Sequence, residues 1–432
     1  MLSGQSLGLS YDSLLEYCGS YFDQVKDHRS RNASISLSDQ LKSAYAMFSL
    51  KYPSMLMLEQ GRLKDEEKNL RSMFGIKKIP SDTTMRETLD EVSPEVLQGM
   101  FGGLVQRVKA NKKLSRYEVL GGHLLCAMDG VSFFSSNKIH CESCQQKKSR
   151  DGSIQYSHAM LCGVLIHPDC AEVIPLGAEP INRQDGALKN DHELVAAKRL
   201  WTRLWDTYAD QKFLHTGDAL FANGPMIRSI EERGHAYLLN VKPDSHEVLF
   251  AHYEHPQHRH AYQKKQYSTK DQERIELEFC NGLPLNNSAG DVRVNFIIAR
   301  VTKKGKTTTF TWVTNVKITA GNALSLCRFA RARWKIENET FNTLKNQGYN
   351  FEHNYGHGKK HLCNTLAILM MIAFLIDQIQ QMASKVFIAI LKIVKTKTRL
   401  WDDMRAVFKL IPCNSFKHLF DVLLAKHSVR KT

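Results

Sequence analysis

Apolar positions along the first 118 residues recur at helical spacing. Within residues 39–50, Leu41, Ala44, Ala46, Met47 and Leu50 fall close to one stripe. Pro80-Ser81-Asp82 starts a further helix, and Thr84-Met85-Arg86-Glu87 has the spacing of a capping box. Such a unit serves either as a binding module or as a brace for its neighbour. The period changes at His123. Leu124-Leu125-Cys126-Ala127-Met128 is a short apolar run, which predicts a buried strand ending on Asp129-Gly130. Residues 159–166 and 172–176 predict two more strands. Asp191 is placed to cap a helix whose apolar face is Leu194, Ala197, Leu200, Trp201 and Leu204. A strand over 212–216 then ends at Gly217-Asp218, a helix over 225–233 is stopped by Gly234, and Pro243 closes a strand over 235–241.

Residues 245–318 alternate instead. Segments 274–279, 292–300 and 307–316, with turns at Asn281-Gly282 and Lys304-Gly305, predict an antiparallel β unit. Helix returns over 322–346 and stops at Gly348, and the chain from Lys359 onward reads as helical and basic. The eleven apolar residues 366–376 fall short of the roughly 18 that cross a bilayer, so they predict a buried helix and no membrane partner. The whole pattern is α/β, a mixed sheet flanked by helices with an antiparallel β insertion and helical ends.

Composition narrows the class. With 432 residues, 43% hydrophobic and 24% charged, the chain is neither disordered, collagenous nor disulfide-dense. Ten cysteines scattered from Cys18 to Cys413, and no charged-then-apolar leader, predict a reducing cytoplasm. Charge says more. The net +15 is absent from the first 300 residues, which hold 37 basic and 37 acidic side chains. The remaining 132 hold 22 and 7. A neutral body with a basic end predicts a polyanionic partner, nucleic acid first. Lys392, Lys395, Lys397 and Arg399 form the densest run and are expected to follow a DNA backbone.

Three carboxylates occupy distinct places: Asp129 and Asp218 at strand ends, and Glu337 inside a helix. Oxygen ligands of this kind suit Mg²⁺, and two such ions can drive phosphoryl transfer. Each residue alone also reads as a cap or turn residue. Their order on a strand–strand–helix frame resembles the DDE transposases of bacterial insertion sequences, best over residues 127–358. That resemblance implies an RNase H-like catalytic core, with the first Asp on the first strand, the second after the fourth strand and the Glu on a late helix. It also implies a β insertion before that helix, which 245–318 fits. One branch of the family carries Tyr-x2-Arg-x3-Glu-x6-Lys around the Glu. Arg333 stands at the Arg position, Ala330 where the Tyr belongs and Leu344 where the Lys belongs, with Lys345 one residue late. On an α-helix that lag is a rotation of about 100°.

The resemblance implies five segments: a helical region 1–118 that is a candidate DNA-binding unit, a core in two parts (119–244 and 319–358), the insertion 245–318 and a basic helical region 359–432. It further implies two Mg²⁺ or Mn²⁺ ions on Asp129, Asp218 and Glu337, with Arg333 and Lys345 assisting. The partner would be double-stranded DNA, cut at element ends and joined to a target by a homodimer, in a bacterial cytoplasm at the nucleoid. Two alternatives stay open: an RNase H-like nuclease that does not join, and an inactive, domesticated DNA-binding protein. Candidate DNA contacts, besides the basic run, are Arg331, Arg333, Lys345 and the loop His353-Asn354-Tyr355-Gly356-His357-Gly358-Lys359-Lys360, where Tyr355, Lys359 and Lys360 stand out.

Cys141 and Cys144 form a C-x2-C, and His158 is the expected third ligand of a possible structural zinc site. Cys162 and Cys170 read as buried strand neighbours instead. Gln184-Asp185-Gly186 and Asp191-His192-Glu193 read as turn and cap residues, and His252, His255, His258 and His260 as an exposed loop around Pro256.

Overall fold

The computed structural model describes residues 7–30, 32–61, 66–182, 193–269 and 273–428. Strands β1 (Glu118–Val119), β2 (His123–Ser136), β3 (Gln145–Lys148), β4 (Ile154–Leu165), β5 (Ile174–Ile181), β6 (Phe213–Gly217), β7 (Ala236–Asn240), β8 (Gln263–Ser268), β9 (Arg274–Pro284), β10 (Arg293–Lys303) and β11 (Lys306–Thr314) share one sheet. Its order is β3-β4-β2-β6-β7-β11-β10-β9-β8, with β5 on β4 and β1 on β2. β2, β6 and β7 run parallel to one another, and every other pairing is antiparallel. The strands of 245–318 are continuous with the core sheet: β11 zips onto the free edge of β7 (Val313 opposite Leu239) and carries the sheet on through three more strands.

Several boundaries differ from the sequence pattern. β2 does not stop at Asp129; it runs seven residues further, bulging between Ser132 and Phe134. Asn281-Gly282 is no hairpin turn. It is a bulge inside β9, where Gly282 takes φ +77° and the Asn281 side chain accepts from and donates to the Ile318 backbone. Lys304-Gly305 does make the expected tight turn, both residues having positive φ.

Helices α1 (Tyr11–Gln24), α2 (Leu37–Ser49), α3 (Met55–Gly61), α4 (Glu66–Phe74), α5 (Asp82–Asp90) and α6 (Gly99–Ala110) precede the sheet. Ser81 caps α5 by accepting from Thr84 N, so the cap lies one turn before the expected Thr84 box. Helices α7 (Glu193–Thr207) and α8 (Gly224–Glu232) cross between core strands, and α9 (Glu247–Glu254) carries His252 on a helix where a loop was expected. Asp185 and Asp191 lie outside the described residues. The predicted single helix over 322–346 is broken into α10 (Ala323–Arg331), a turn, a π-helical stretch (Ile336–Phe341) and α11 (Asn342–Asn346).

The chain then folds back on its start. Helix α12 (Leu362–Ala383) is buried all along its 18-residue apolar window, although its length and composition would also suit a membrane span. Its polar groups meet protein partners: Thr365 donates to Val92 O, Gln378 accepts from Val173 N and Gln380 donates to Leu9 O. Around it pack α1, α2, α5 and α6 together with α13 (Lys385–Val394). α14 (Lys397–Leu410) and α15 (Phe416–Ser428) close on α13, α4 and α1. The N-terminal helices thus brace the C-terminal ones, and the basic run 392–399 is the break between α13 and α14, where Lys395 adopts φ +69°.

Candidate active site

β2 and β6 lie side by side and parallel, Ala127 opposite Thr216, so Asp129, midway along β2, stands level with Asp218, the first residue past the end of β6. Asp218 Oδ1 accepts from Leu220 N at 2.9 Å, which fixes the turn into α8. Glu337 reaches the pair through Arg333. The guanidinium donates to Asp129 Oδ2 at 2.8 Å and to Glu337 Oε1 at 2.7 Å, one turn along the same face. The three expected carboxylates are thus brought to one place, with Arg333 as the strut.

A fourth carboxylate joins them. A Cβ on Gly130 would sit 2.5 Å from Glu193 Oε1, so the carboxylate of the first residue of α7 lies directly against the β2 backbone beside Asp129. Burial raises the Glu193 pKa, and the charges of Asp218 and Asp129 raise it further. Asp129 is pushed up to about 6, chiefly by burial; Glu337 and Asp218 add to the rise and Arg333 opposes it. Sequence pattern assigned Glu193 to a cap; the small residue directly after Asp129 was the available signal. Clustered carboxylates that resist ionisation are the donor set a hard divalent cation satisfies. Glu193→Gln is expected to raise the melting temperature at pH 8 without cation and to shrink the increment that Mg²⁺ adds. An unchanged increment in differential scanning fluorimetry would remove Glu193 from the site.

A π-helical stretch lies between Glu337 and Lys345. Its i→i+5 bonding accommodates one extra residue, turning the following helix back by about 100°. Lys345 therefore lines the same open groove as Glu337, Gly130 and Ser132, ion-paired with Glu352 at 2.7 Å. On the other side of Arg333 a second groove is walled by Phe310 and Trp312, their rings parallel within 3°, and by the exposed Trp334. Arg331 lies along it, paired with Glu273 at 3.1 Å.

Other expected DNA contacts are placed differently. Tyr355 is buried, its hydroxyl donating to Tyr349 O and its ring edge-on to Phe48, so it is a core residue. Lys360 pairs with Glu91 at 2.9 Å, and the Asp90 carboxylate accepts from the amides of Lys359, Lys360, His361 and Leu362. That loop is pinned rather than open, with the Lys359 side chain exposed. Lys392, Lys395 and Arg399 are exposed, whereas Lys397 is half-buried and burial lowers its pKa. Cys162 and Cys170 are buried as expected. Cys141, Cys144 and His158 converge, and His357 joins them from the loop read as a DNA contact.

No curated protein matches this chain. Among solved structures, a piggyBac transposase synaptic complex with hairpin DNA aligns over 98% of this chain and 78% of that one, at 8% identity and a TM-score of 0.40. Residues 178–375, the segment that carries Glu193, Asp218, Arg333 and Glu337, match the family described as Transposase DDE domain.

Proposed function

We propose that this chain is a DNA transposase with an RNase H-like core. Asp129, Asp218 and Glu337 would hold two divalent cations, Mg²⁺ or Mn²⁺, with Glu193 beside them. The observation that carries the reading is the convergence of Asp129 and Asp218 from adjacent parallel strands with Glu337 bound to the same guanidinium. The strand order β5-β4-β2-β6-β7 supports the core assignment. When bound, the cations supply a lowered pKa at the attacking oxygen and charge neutralisation at the leaving one. The chain's own groups do the rest. Arg333 holds two carboxylates in place and presents the remainder of its fork to a phosphate. Lys345, on the groove wall, supplies a positive charge along the DNA backbone. The half-buried ring of Phe310 and the exposed ring of Trp334, in the groove beside Arg333, offer aromatic surface to a base.

The substrate on this reading is double-stranded DNA at the ends of a mobile element, cut and then joined through its 3′-hydroxyl to a target, with a homodimer pairing the two ends in a bacterial cytoplasm. The test is a strand-transfer assay in Mg²⁺ or Mn²⁺, with linear DNA carrying the sequences that flank the gene and a supercoiled target. Joined product supports the transposase, cleavage alone supports a nuclease, and binding without either supports a retired catalytic fold.

Because 359–428 is packed into the core, deleting it would test folding rather than binding. The charge is better tested in place. Exchanging Lys392, Lys395 and Arg399 for Glu is expected to weaken DNA binding at low salt. It should also flatten the dependence of log K on log salt, by about one for each phosphate that is no longer neutralised. Identical slopes in fluorescence anisotropy would place the DNA elsewhere.

A further inference from the structure

The C-x2-C lies on the connection between β2 and β3, and its sulfurs, Cys141 Sγ and Cys144 Sγ, stand 3.8 Å apart. His158 of β4 puts Nε2 3.3 Å from Cys141 Sγ and 3.4 Å from Cys144 Sγ. His357, in the loop after the Glu337 helix, puts Nε2 3.3 Å from Cys144 Sγ. The four ligand atoms all lie within 4.8 Å of one another, and the four residues are buried. A tetrahedral ion with metal–sulfur bonds of about 2.3 Å and metal–nitrogen bonds of about 2.0–2.1 Å needs sulfurs about 3.8 Å apart and sulfur–nitrogen edges of about 3.5 Å. The observed sulfur–sulfur edge matches, and the three sulfur–nitrogen distances from His158 to both sulfurs and from His357 to Cys144 are slightly tighter. Around Cys144 and His158 supporting bonds of a metal site are also in place. The Cys141 amide donates to Cys144 Sγ at 3.4 Å, and His158 Nδ1 lies 3.1 Å from Asn364 Oδ1, which leaves Nε2 free to face the sulfurs.

We propose that Cys141, Cys144, His158 and His357 bind one Zn²⁺ in a closed structural site, separate from the carboxylate groove. Two thiolates and two imidazoles select zinc over the hard cations that carboxylates prefer. The ion ties the β2–β3 connection to the segment that follows the catalytic helix, more than two hundred residues later in the chain. Two hydrogen bonds run alongside it: Glu142 N donates to Lys359 O, and the Ser143 hydroxyl donates to Lys360 O. The His357 ring also packs 4.4 Å from that of Phe134, which lines the groove with Glu337 and Lys345. Zinc thus holds one wall of that groove, whatever reaction takes place in it.

The test uses the full chain from zinc-supplemented cells, purified without chelator and dialysed, with metal measured by inductively coupled plasma mass spectrometry. The expected content is about one zinc per chain. Cobalt exchanged into the site should give the visible bands of a tetrahedral ion together with thiolate charge-transfer absorption. Cys144→Ser and His357→Ala should each lose the zinc, whereas Glu337→Gln should keep it. Stripping zinc should lower the melting temperature, and zinc but not magnesium should restore it. Zinc-free protein from such cells, or full zinc content in Cys144→Ser, overturns the assignment. So does a Cys141–Cys144 disulfide found by alkylation and mass spectrometry. If the variants fail to fold, the cobalt spectrum of the unaltered chain decides, since it reports the ligands directly.

Discussion

Replacing Asp129 by Asn is expected to abolish metal-dependent cleavage and joining while making the cation-free protein more stable. The two effects share one cause. The Asp129 carboxyl is buried beside Glu337 and Asp218, and its pKa stands at about 6, above the ordinary 3.8. A carboxyl whose folded pKa is raised stabilises the fold in its protonated form, and that stability is lost as pH rises from the unfolded value through the folded one. At pH 7.5 the ionised group therefore costs roughly 3 kcal/mol, which Asn would largely return. On the proposed reading the same substitution removes an anionic ligand from the cation site; it also leaves Arg333 with Glu337 alone. The expected loss in strand cleavage is at least about a thousandfold, or roughly 4 kcal/mol in transition-state stabilisation. The melting-temperature gain on adding Mg²⁺ should disappear as well. In the unaltered chain, both activity and that gain should fall as pH drops through about 6. Full strand transfer by the Asn variant would remove Asp129 from the chemistry.

The second large effect is expected far from the groove. Lys51 and Asp377 form an ion pair sealed from solvent, with the Tyr349 hydroxyl donating to the same carboxylate oxygen at 2.6 Å. Lys51 also donates to Ser49 O and lies over the rings of Tyr349 and Trp401, 4.5 and 4.2 Å from their centroids. Removing one partner leaves the other charge buried without compensation. Asp377→Ala is therefore expected to cost about 3–5 kcal/mol, read from the urea midpoint. The double variant Lys51→Met, Asp377→Leu should cost much less, because it removes both charges and refills the volume. A double variant as unstable as the single one would mean that the pair contributes through geometry rather than charge. The site matters because it joins α12, the end of the Glu337 helix and the N-terminal helices.

Much of this arrangement is legible in the residue pattern. The apolar run before Asp129, the strand before Gly217-Asp218 and the helix stripe from Leu194 to Leu204 all appear near their expected places. They are legible because burial imposes period on side chains. What stayed hidden depends on contacts between distant residues or on backbone bonding. The π-helical stretch changes hydrogen-bond partners without changing composition, so the groove position of Lys345 could not be read from an α-helical count. His357 sits in a glycine-rich loop whose text suits phosphate contact, and only its approach to Cys144 gives it another role. Tyr355, two residues earlier, is an aromatic in the same loop that packs inward. How the insertion joins the core was not legible, because strand alternation reveals a strand but never its neighbour. The pairing of β11 with β7 decides that.

The first and last helices seal each other. Tyr11 stacks on Phe416 with ring centroids 3.9 Å apart, and the Asp12 carboxylate caps α15 by accepting from the amides of Phe416 and Lys417. A ribosome adding about 5–20 residues per second needs roughly 20–80 s to travel from one partner to the other. For that time the apolar faces of α1 and α2 wait without the helices that cover them, and α12 has yet to be made. The seal between α1 and α15 therefore forms only once α15 has been made, and a chain cut short before it presents uncovered helices to chaperones.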